Sequence, residues 1–251
     1  MSLQRCIEIF LKYLPSFLLG IRTTLVLSLA GTLIGLLLGL LVGGLKAIRI
    51  DENASSLLKF LKKLFNILAT VYIEIFRGTP MMVQAVFIYY LVYMNIFPWD
   101  KFVAALFVIS VNTGAYMSEI IRSGIQSVDR GQTEAARALG FTNMQTMFDV
   151  VLPQAVKNAF PAIGNEFIVN IKDSSVLMII SITELMFQSS SIVGTTYRFT
   201  ETYFVTACVY LLLTMVTSVI LHIVENRMSH TNTSIPQSDT DPSNMKLARG
   251  K

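Results

Sequence analysis

The sequence predicts an all-α integral membrane protein with five transmembrane helices, its N-terminus outside and its C-terminus in the cytoplasm. Three observations carry that expectation. Hydrophobic residues make up 53% of the 251-residue chain and charged residues 14%, well below the roughly 25% charged content of soluble domains. Uncharged runs near the length that a bilayer core demands, about 20 residues, recur along the chain. Lysine and arginine gather in alternate loops. At this length a single compact membrane domain is expected.

Residues 1–22 are read as an extracytoplasmic segment. Arg5, Glu8 and Lys12 interrupt its apolar run, so the first span is expected to act as an uncleaved anchor. The membrane domain is expected over residues 23–228, and its first span, Thr23 to Leu45, has no ionisable side chain. Gly31, Gly35, Gly39 and Gly43 recur every four residues there. Such spacing makes one smooth helix face against which another helix can pack closely or slide.

From Ser55 to Tyr72 apolar residues recur at helical spacing, with Lys59, Lys62, Lys63 and Asn66 opposite. A helix lying in the cytoplasmic interface fits that pattern, as does a tilted extension of the next span. Pro80 favours a break or a helix start, and Arg77 is placed at the cytoplasmic edge beside Glu74. The second and third spans are expected at Met81 to Phe97 and Phe102 to Ser118. Between them Tyr89, Tyr90, Tyr93, Phe97 and Trp99 form an aromatic belt of the kind found at the outer surface. A cytoplasmic loop follows over about 122–158. Ala159 to Phe187 is long enough to span despite Glu166, Lys172, Asp173 and Glu184, and Tyr203 to Val224 makes the fifth span. Residues 229–251 are polar and expected to be a disordered cytoplasmic tail.

The basic residues set the orientation. Loop 46–63 holds Lys46, Arg49, Lys59, Lys62 and Lys63; loop 122–158 holds Arg122, Arg130, Arg137 and Lys157; the tail holds four more. The opposite side has only Arg5, Lys12, Arg22, Lys101 and Arg198. The richer side is read as cytoplasmic.

Inside the cytoplasmic loop the chain reads EAARALGFTNMQTMFDVVLP from Glu134 to Pro153. Gln132 to Leu139 is rich in helix formers. Gly140 is expected to be a flexible joint, with Thr142 capping a second helix to Val151 that Pro153 stops. This stretch resembles the EAA loop of permeases of ATP-binding cassette (ABC) importers: Glu134, Ala135, Ala136, Gly140, Leu152 and Pro153 match in register, and Val150 replaces the usual isoleucine. Arg77-Gly78-Thr79-Pro80, NTGAYMSEIIRSGI from Asn112 and GNEFIVNIKDSSVL from Gly164 resemble the polar amino acid permeases of that superfamily. The resemblance implies the type I importer permease fold and a bacterial inner-membrane location. It further implies that the six matching loop residues couple the chain to a cytoplasmic ABC ATPase dimer, which uses ATP and Mg. The remaining implied partners are a second permease subunit, identical or paralogous, and an extracytoplasmic amino acid-binding protein, with no nucleic acid.

The fourth span carries the candidate substrate chemistry. At helical spacing Glu166, Asn170, Asp173 and Ser174 fall on one face, while Lys172 points elsewhere. Acidic groups at bilayer depth face a partner or a wet cavity. A carboxylate stripe there can receive an α-ammonium, with Asn170, Lys172, Ser174 and, on the second span, Gln84 as further pathway candidates beside Glu166 and Asp173; pairing between helices is the other reading, above all for Glu166 and Glu184.

No cofactor is expected on the chain itself. It has no GxxxxGK[ST] phosphate loop, no HExxH and no nucleophile elbow. His222 and His230 have no metal-site spacing, and Cys6 and Cys208 are read as free thiols. A transport subunit rather than an enzyme follows, with a metal, peptide or phosphonate as the other cargo classes. A secondary transporter or channel would require a repeat or coupling-ion sites, and none is visible.

Overall fold

The computed structural model describes residues 2–48, 50 and 54–230, the side chains of 229 and 230 excepted. Arg49 and residues 231–251, most of the expected tail, lie outside the described residues. Those described are helical, joined by short turns, with no strand among them.

A short helix α1 (Leu3–Lys12) is capped by Ser2 and leads into α2 (Leu14–Ala47). Helix α2 crosses the boundary expected at residue 22, because a single Arg22 ends an uncharged run without ending a helix. Next come α3 (Ser56–Gly78) and α4 (Met81–Asn95), bent by 113° at Thr79–Pro80. Helix α5 (Lys101–Gln126) starts on Asp100, whose Oδ1 accepts from the Phe102 and Val103 amides at 2.8 and 3.1 Å. It runs past Ser118 because Glu119 and Arg122 neutralise each other one turn apart at 2.7 Å.

The remaining helices are α6 (Arg130–Ala138), a single turn α7 (Asn143–Gln145), α8 (Leu152–Asp173), α9 (Leu185–Thr196) and α10 (Phe199–His230). Three helices are long and apolar enough to cross a membrane singly: Leu14–Ala47, Lys101–Gln126 and Phe199–Met228. Two bent pairs raise that to five spans: Ser56–Gly78 with Met81–Asn95, and Asn143–Ile180 with Leu185–Thr196, the latter bent by 53°. The expected second and fourth spans are therefore broken ones. Helix α4 has 15 residues, about 22 Å at 1.5 Å per residue, short of a core of about 30 Å.

Helices α2 and α5 form the centre, and the glycine stripe lies between them. A Cβ at Gly31 would sit 2.6 Å from Ile109 Cγ2, one at Gly35 2.7 Å from Thr113 Cβ, and one at Gly43 2.6 Å from the Ser118 carbonyl oxygen. Gly39 faces Met117. Partner numbers rise together, so α2 and α5 run parallel. Helix α8 packs antiparallel to both, with Ala159 and Ile163 against Met117 and Ile121. Helix α10 returns along α8 and α9, and α1 lies on it through Cys6 and Ile9.

This arrangement gathers the end of α2, the start of α3, residues 127–151 and the end of α10 at one end of the bundle. The N-terminus, the α4–α5 turn and the α9–α10 turn occupy the other. The chain's charge asymmetry is thus an asymmetry between two ends of one bundle.

Candidate functional site

The polar residues expected to share one face of the fourth span separate in the structure. Asn170, 2% exposed, ties three helices together: its Nδ2 donates to Thr32 Oγ1 at 2.8 Å, its Oδ1 accepts from Thr113 Oγ1 at 3.1 Å, and its carbonyl accepts from Ser28 Oγ at 2.9 Å. Every polar atom Asn170 could offer a passing solute is already engaged. Ser174 is fully buried and donates to the Ile171 carbonyl at 2.9 Å. Glu166 is largely buried.

Lys172 and Asp173 end α8 exposed, and Asp173 forms no salt bridge among the described residues. The helix tightens into a 3₁₀ run over Ser174–Ile180 directly after them. Asn170 and Asp173 lie on the same α-helix, and at about 100° per residue Asp173 stands about 60° round from Asn170 and about 100° from Ser174, so a buried arc centred between Asn170 and Ser174 leaves it outside. The expected single polar face is corrected accordingly: Asn170 and Ser174 point into the bundle, Lys172 and Asp173 out of it.

Gln84 also looks inward. Its Nε2 donates to the Phe76 and Thr79 carbonyls at 3.0 and 2.9 Å, and Asn112 Nδ2 donates to its Oε1 at 2.9 Å. It holds the α3–α4 elbow, where the backbone groups released by the break would otherwise lie unpaired. Since Asn112 stands half-way along α5, Arg77 is not at an end of the bundle as expected; its guanidinium lies 5.5 Å from the centre of the Tyr116 ring. Glu184, fully buried, caps α9 by accepting from the Met186 and Phe187 amides at 2.8 and 2.7 Å and from Tyr210 Oη at 3.0 Å.

The loop at 127–151 is built rigidly. Asp129 caps α6 by accepting from the Gly131 amide at 2.7 Å. The helix ends in a Schellman turn: Gly140 has φ 87°, its amide donates to Arg137 at 3.0 Å, and the Phe141 amide donates to Ala136 at 3.1 Å. Gly140 is thus a fixed left-handed cap, not a flexible joint. Thr142 and Gln145 form a reciprocal capping box.

Pro153 does not stop the second helix. A wide π turn over Thr146–Val151 passes directly into α8, so the proline falls in a first turn where its missing N–H is tolerated. Gln154 Nε2 secures the joint by donating to the Val150 carbonyl at 2.8 Å. Ala136 is buried beneath the loop and Leu152 is half-buried, while Glu134, Ala135, Gly140 and Pro153 are exposed.

Sequence reasoning missed two features. Leu139, 79% exposed, and Phe141, Met144 and Phe148 are exposed apolar side chains on this otherwise polar loop. Thr24, Ser28 and Thr32 form a buried hydroxyl row on α2 that reaches α8 and α9. The second had a signal: the three recur every four residues beside the glycine stripe.

Bent spans around a three-helix polar clamp, with a rigid capped loop at one end, are the geometry to compare with known proteins. The family of binding-protein-dependent transport system inner membrane components matches residues 54–230. The chain belongs to that family.

The glutamine transport system permease protein GlnP of Escherichia coli (strain K12) is 40% identical over 165 residues, 65% of this chain and 75% of that protein. The putative glutamine transport system permease protein GlnP of Rickettsia prowazekii (strain Madrid E) is 36% identical over 219 residues, 87% and 96% of the two chains. A crystal structure of an amino acid ABC transporter with histidines matches with a TM-score of 0.75 at 39% identity, over 87% of this chain and 96% of that one. The inward-facing MetNI methionine ABC transporter shares the fold, with a TM-score of 0.71 at 19% identity over 86% and 98% of the two chains. The present chain is a multi-pass membrane protein, a permease subunit of an ABC importer with the type I fold. As a transport subunit it is not an enzyme and needs no cofactor of its own; the family works with a separate ATPase and a binding protein.

Proposed function

We propose that this permease carries a polar amino acid, glutamine or a close relative of it, across the bacterial inner membrane after delivery by an extracytoplasmic binding protein. The observation that carries this reading is the 39% identity, over 87% of the chain, to an amino acid ABC transporter, together with relatives named as glutamine permeases. Two permease subunits enclose the pathway, and an ATPase dimer using ATP and Mg drives it. The ATPase engages the loop through Glu134, Ala135 and the apolar rim of Leu139, Phe141, Met144 and Phe148. Gly140, Ala136, Leu152 and Pro153 keep that surface in shape, so closure of the ATPase moves α5 and α8 as levers.

At the pathway, Lys172 and Asp173 offer the two charges that a zwitterionic amino acid complements. Asn170, Ser174 and Gln84 hold the helix ends in place behind them, and Glu166 lines the same helix. Asp173→Asn is expected to lower uptake tenfold to a hundredfold with complex yield and basal ATP hydrolysis unchanged. A charge-assisted hydrogen bond of about 1.5–3 kcal/mol accounts for that range. Uptake of labelled glutamine measured beside complex yield decides it: normal uptake at normal yield removes Asp173 from the pathway, and low yield assigns it to packing.

The basic end of the bundle is read as cytoplasmic. In a Cys208→Ser background, Asp149→Cys should react with an impermeant thiol reagent only from the cytoplasm and Tyr197→Cys only from outside. Labelling of both from one side would overturn the five-span orientation.

A further inference from the structure

We infer that the groove between the end of α2 and the outer face of α3 binds one anionic phospholipid, its headgroup on the lysines and an acyl chain along the apolar floor. The groove has a volume of about 520 Å³; seven residues of α3, from Lys59 to Val71, line it together with Ile50. The inference rests on the chain standing in a bilayer and is independent of the cargo assigned above.

The order of the lining residues along α3 is the argument. Lys59, Lys62 and Lys63 come first, Asn66 next, then Ile67, Thr70 and Val71, all on one helix face. From Lys59 to Val71 that face runs about 18 Å at 1.5 Å per residue. Polarity falls from cationic through amide to apolar over this length, as it does from the phosphate of a lipid to its acyl chain. A soluble anion would use the lysines and leave Ile67 and Val71 without a role. A lipid uses both.

Two contacts make this a formed site and not a scatter of surface lysines. Lys62 Nζ donates to the Leu45 carbonyl and, at 3.4 Å, to the Lys46 carbonyl, so it joins the last turn of α2 to α3 and fixes the floor. It also offsets the negative end of α2 that would otherwise repel a phosphate.

The test is native mass spectrometry of the complete transporter, purified with its ATPase, after incubation with phosphatidylglycerol or phosphatidylcholine. Wild type should retain phosphatidylglycerol in preference to phosphatidylcholine. Lys59→Gln/Lys63→Gln should weaken that preference about thirtyfold, since each lysine near an anionic lipid contributes about fivefold and the two multiply. The corresponding double arginine variant should keep it. Both lysines lie on the surface, and Lys62 is left in place to hold the floor.

Ile67→Trp, also at an exposed position, should lower retention by filling the acyl end. Equal retention of the two lipids, full retention by the glutamine variant, or no effect of Ile67→Trp would each overturn the proposal. Displacement of phosphatidylglycerol by millimolar inorganic phosphate would reduce the groove to a simple anion site and overturn it too.

Discussion

Gly140→Pro is expected to abolish stimulation of ATP hydrolysis by the binding protein while the chain still inserts in the membrane. Three conditions at this position exclude proline. Its φ is held near −65° whereas Gly140 stands at 87°. It has no N–H to replace the 3.0 Å bond to the Arg137 carbonyl. The turn then cannot bring the Phe141 amide to Ala136, and the exposed rim of Leu139, Phe141 and Met144 loses its alignment with α6. Every damaged contact lies outside the spans, so insertion and the α2–α5 contact should survive.

Glu134→Lys probes the same surface without touching the backbone. Glu134 is exposed on α6, so its reversal should leave the loop folded and still uncouple the ATPase. Stimulated ATPase activity in proteoliposomes reads both variants. Wild-type stimulation in Glu134→Lys would show that the carboxylate takes no part in docking, and wild-type stimulation in Gly140→Pro would show that the loop's shape is not what transmits the motion.

Gly35→Val should prevent assembly of the membrane domain itself. A Cβ there would lie 2.7 Å from both Cβ and Cγ2 of Thr113 and 3.1 Å from the Gly114 amide nitrogen. Backbone cannot rotate aside, so the penalty exceeds the roughly 1–3 kcal/mol of ordinary overpacking. It also reaches the clamp, because Thr113 holds Asn170 at 3.1 Å. Gly44→Ala is the control: it lies on the same helix with nothing within 4 Å of its Cβ. Purification yield and monodispersity should fall sharply for Gly35→Val and stay at wild type for Gly44→Ala. Equal behaviour of the two would mean that α2 and α5 are not packed as described.

The contrast between these glycines shows what the sequence could and could not reveal. The four-residue repeat Gly31-Gly35-Gly39-Gly43 announced a close helix contact, because only small residues at that spacing leave a smooth face. It could not name the partner helix, since that depends on how the turns at 96–100 and 127–151 bring α5 alongside. The two helices of the loop are legible from their helix formers and caps, as α6 and the turn capped by Thr142 show, yet Gly140 reads from the sequence as a flexible joint. A glycine in a turn is consistent with freedom and with a fixed positive φ, and only the hydrogen bonds from Gly140 and Phe141 distinguish them.

The candidate pathway was the least legible part. Helical periodicity puts Asp173 within about 60° of Asn170, but it cannot say where the buried arc is centred, and contacts with α2 and α5 centre it on Asn170 and Ser174. Span limits failed for a different reason. Arg22, Glu119 and Arg122 end hydrophobic runs without ending helices, as when Glu119 and Arg122 pair within their own turn.

As the permease of an ATP-driven, binding-protein-dependent amino acid importer, this chain must support uphill transport. Uptake of labelled glutamine into proteoliposomes holding the complete transporter, with ATP inside and binding protein outside, tests it most directly. Accumulation above the external concentration is predicted, lost when either ATP or the binding protein is withheld. Equal uptake without them would contradict the account.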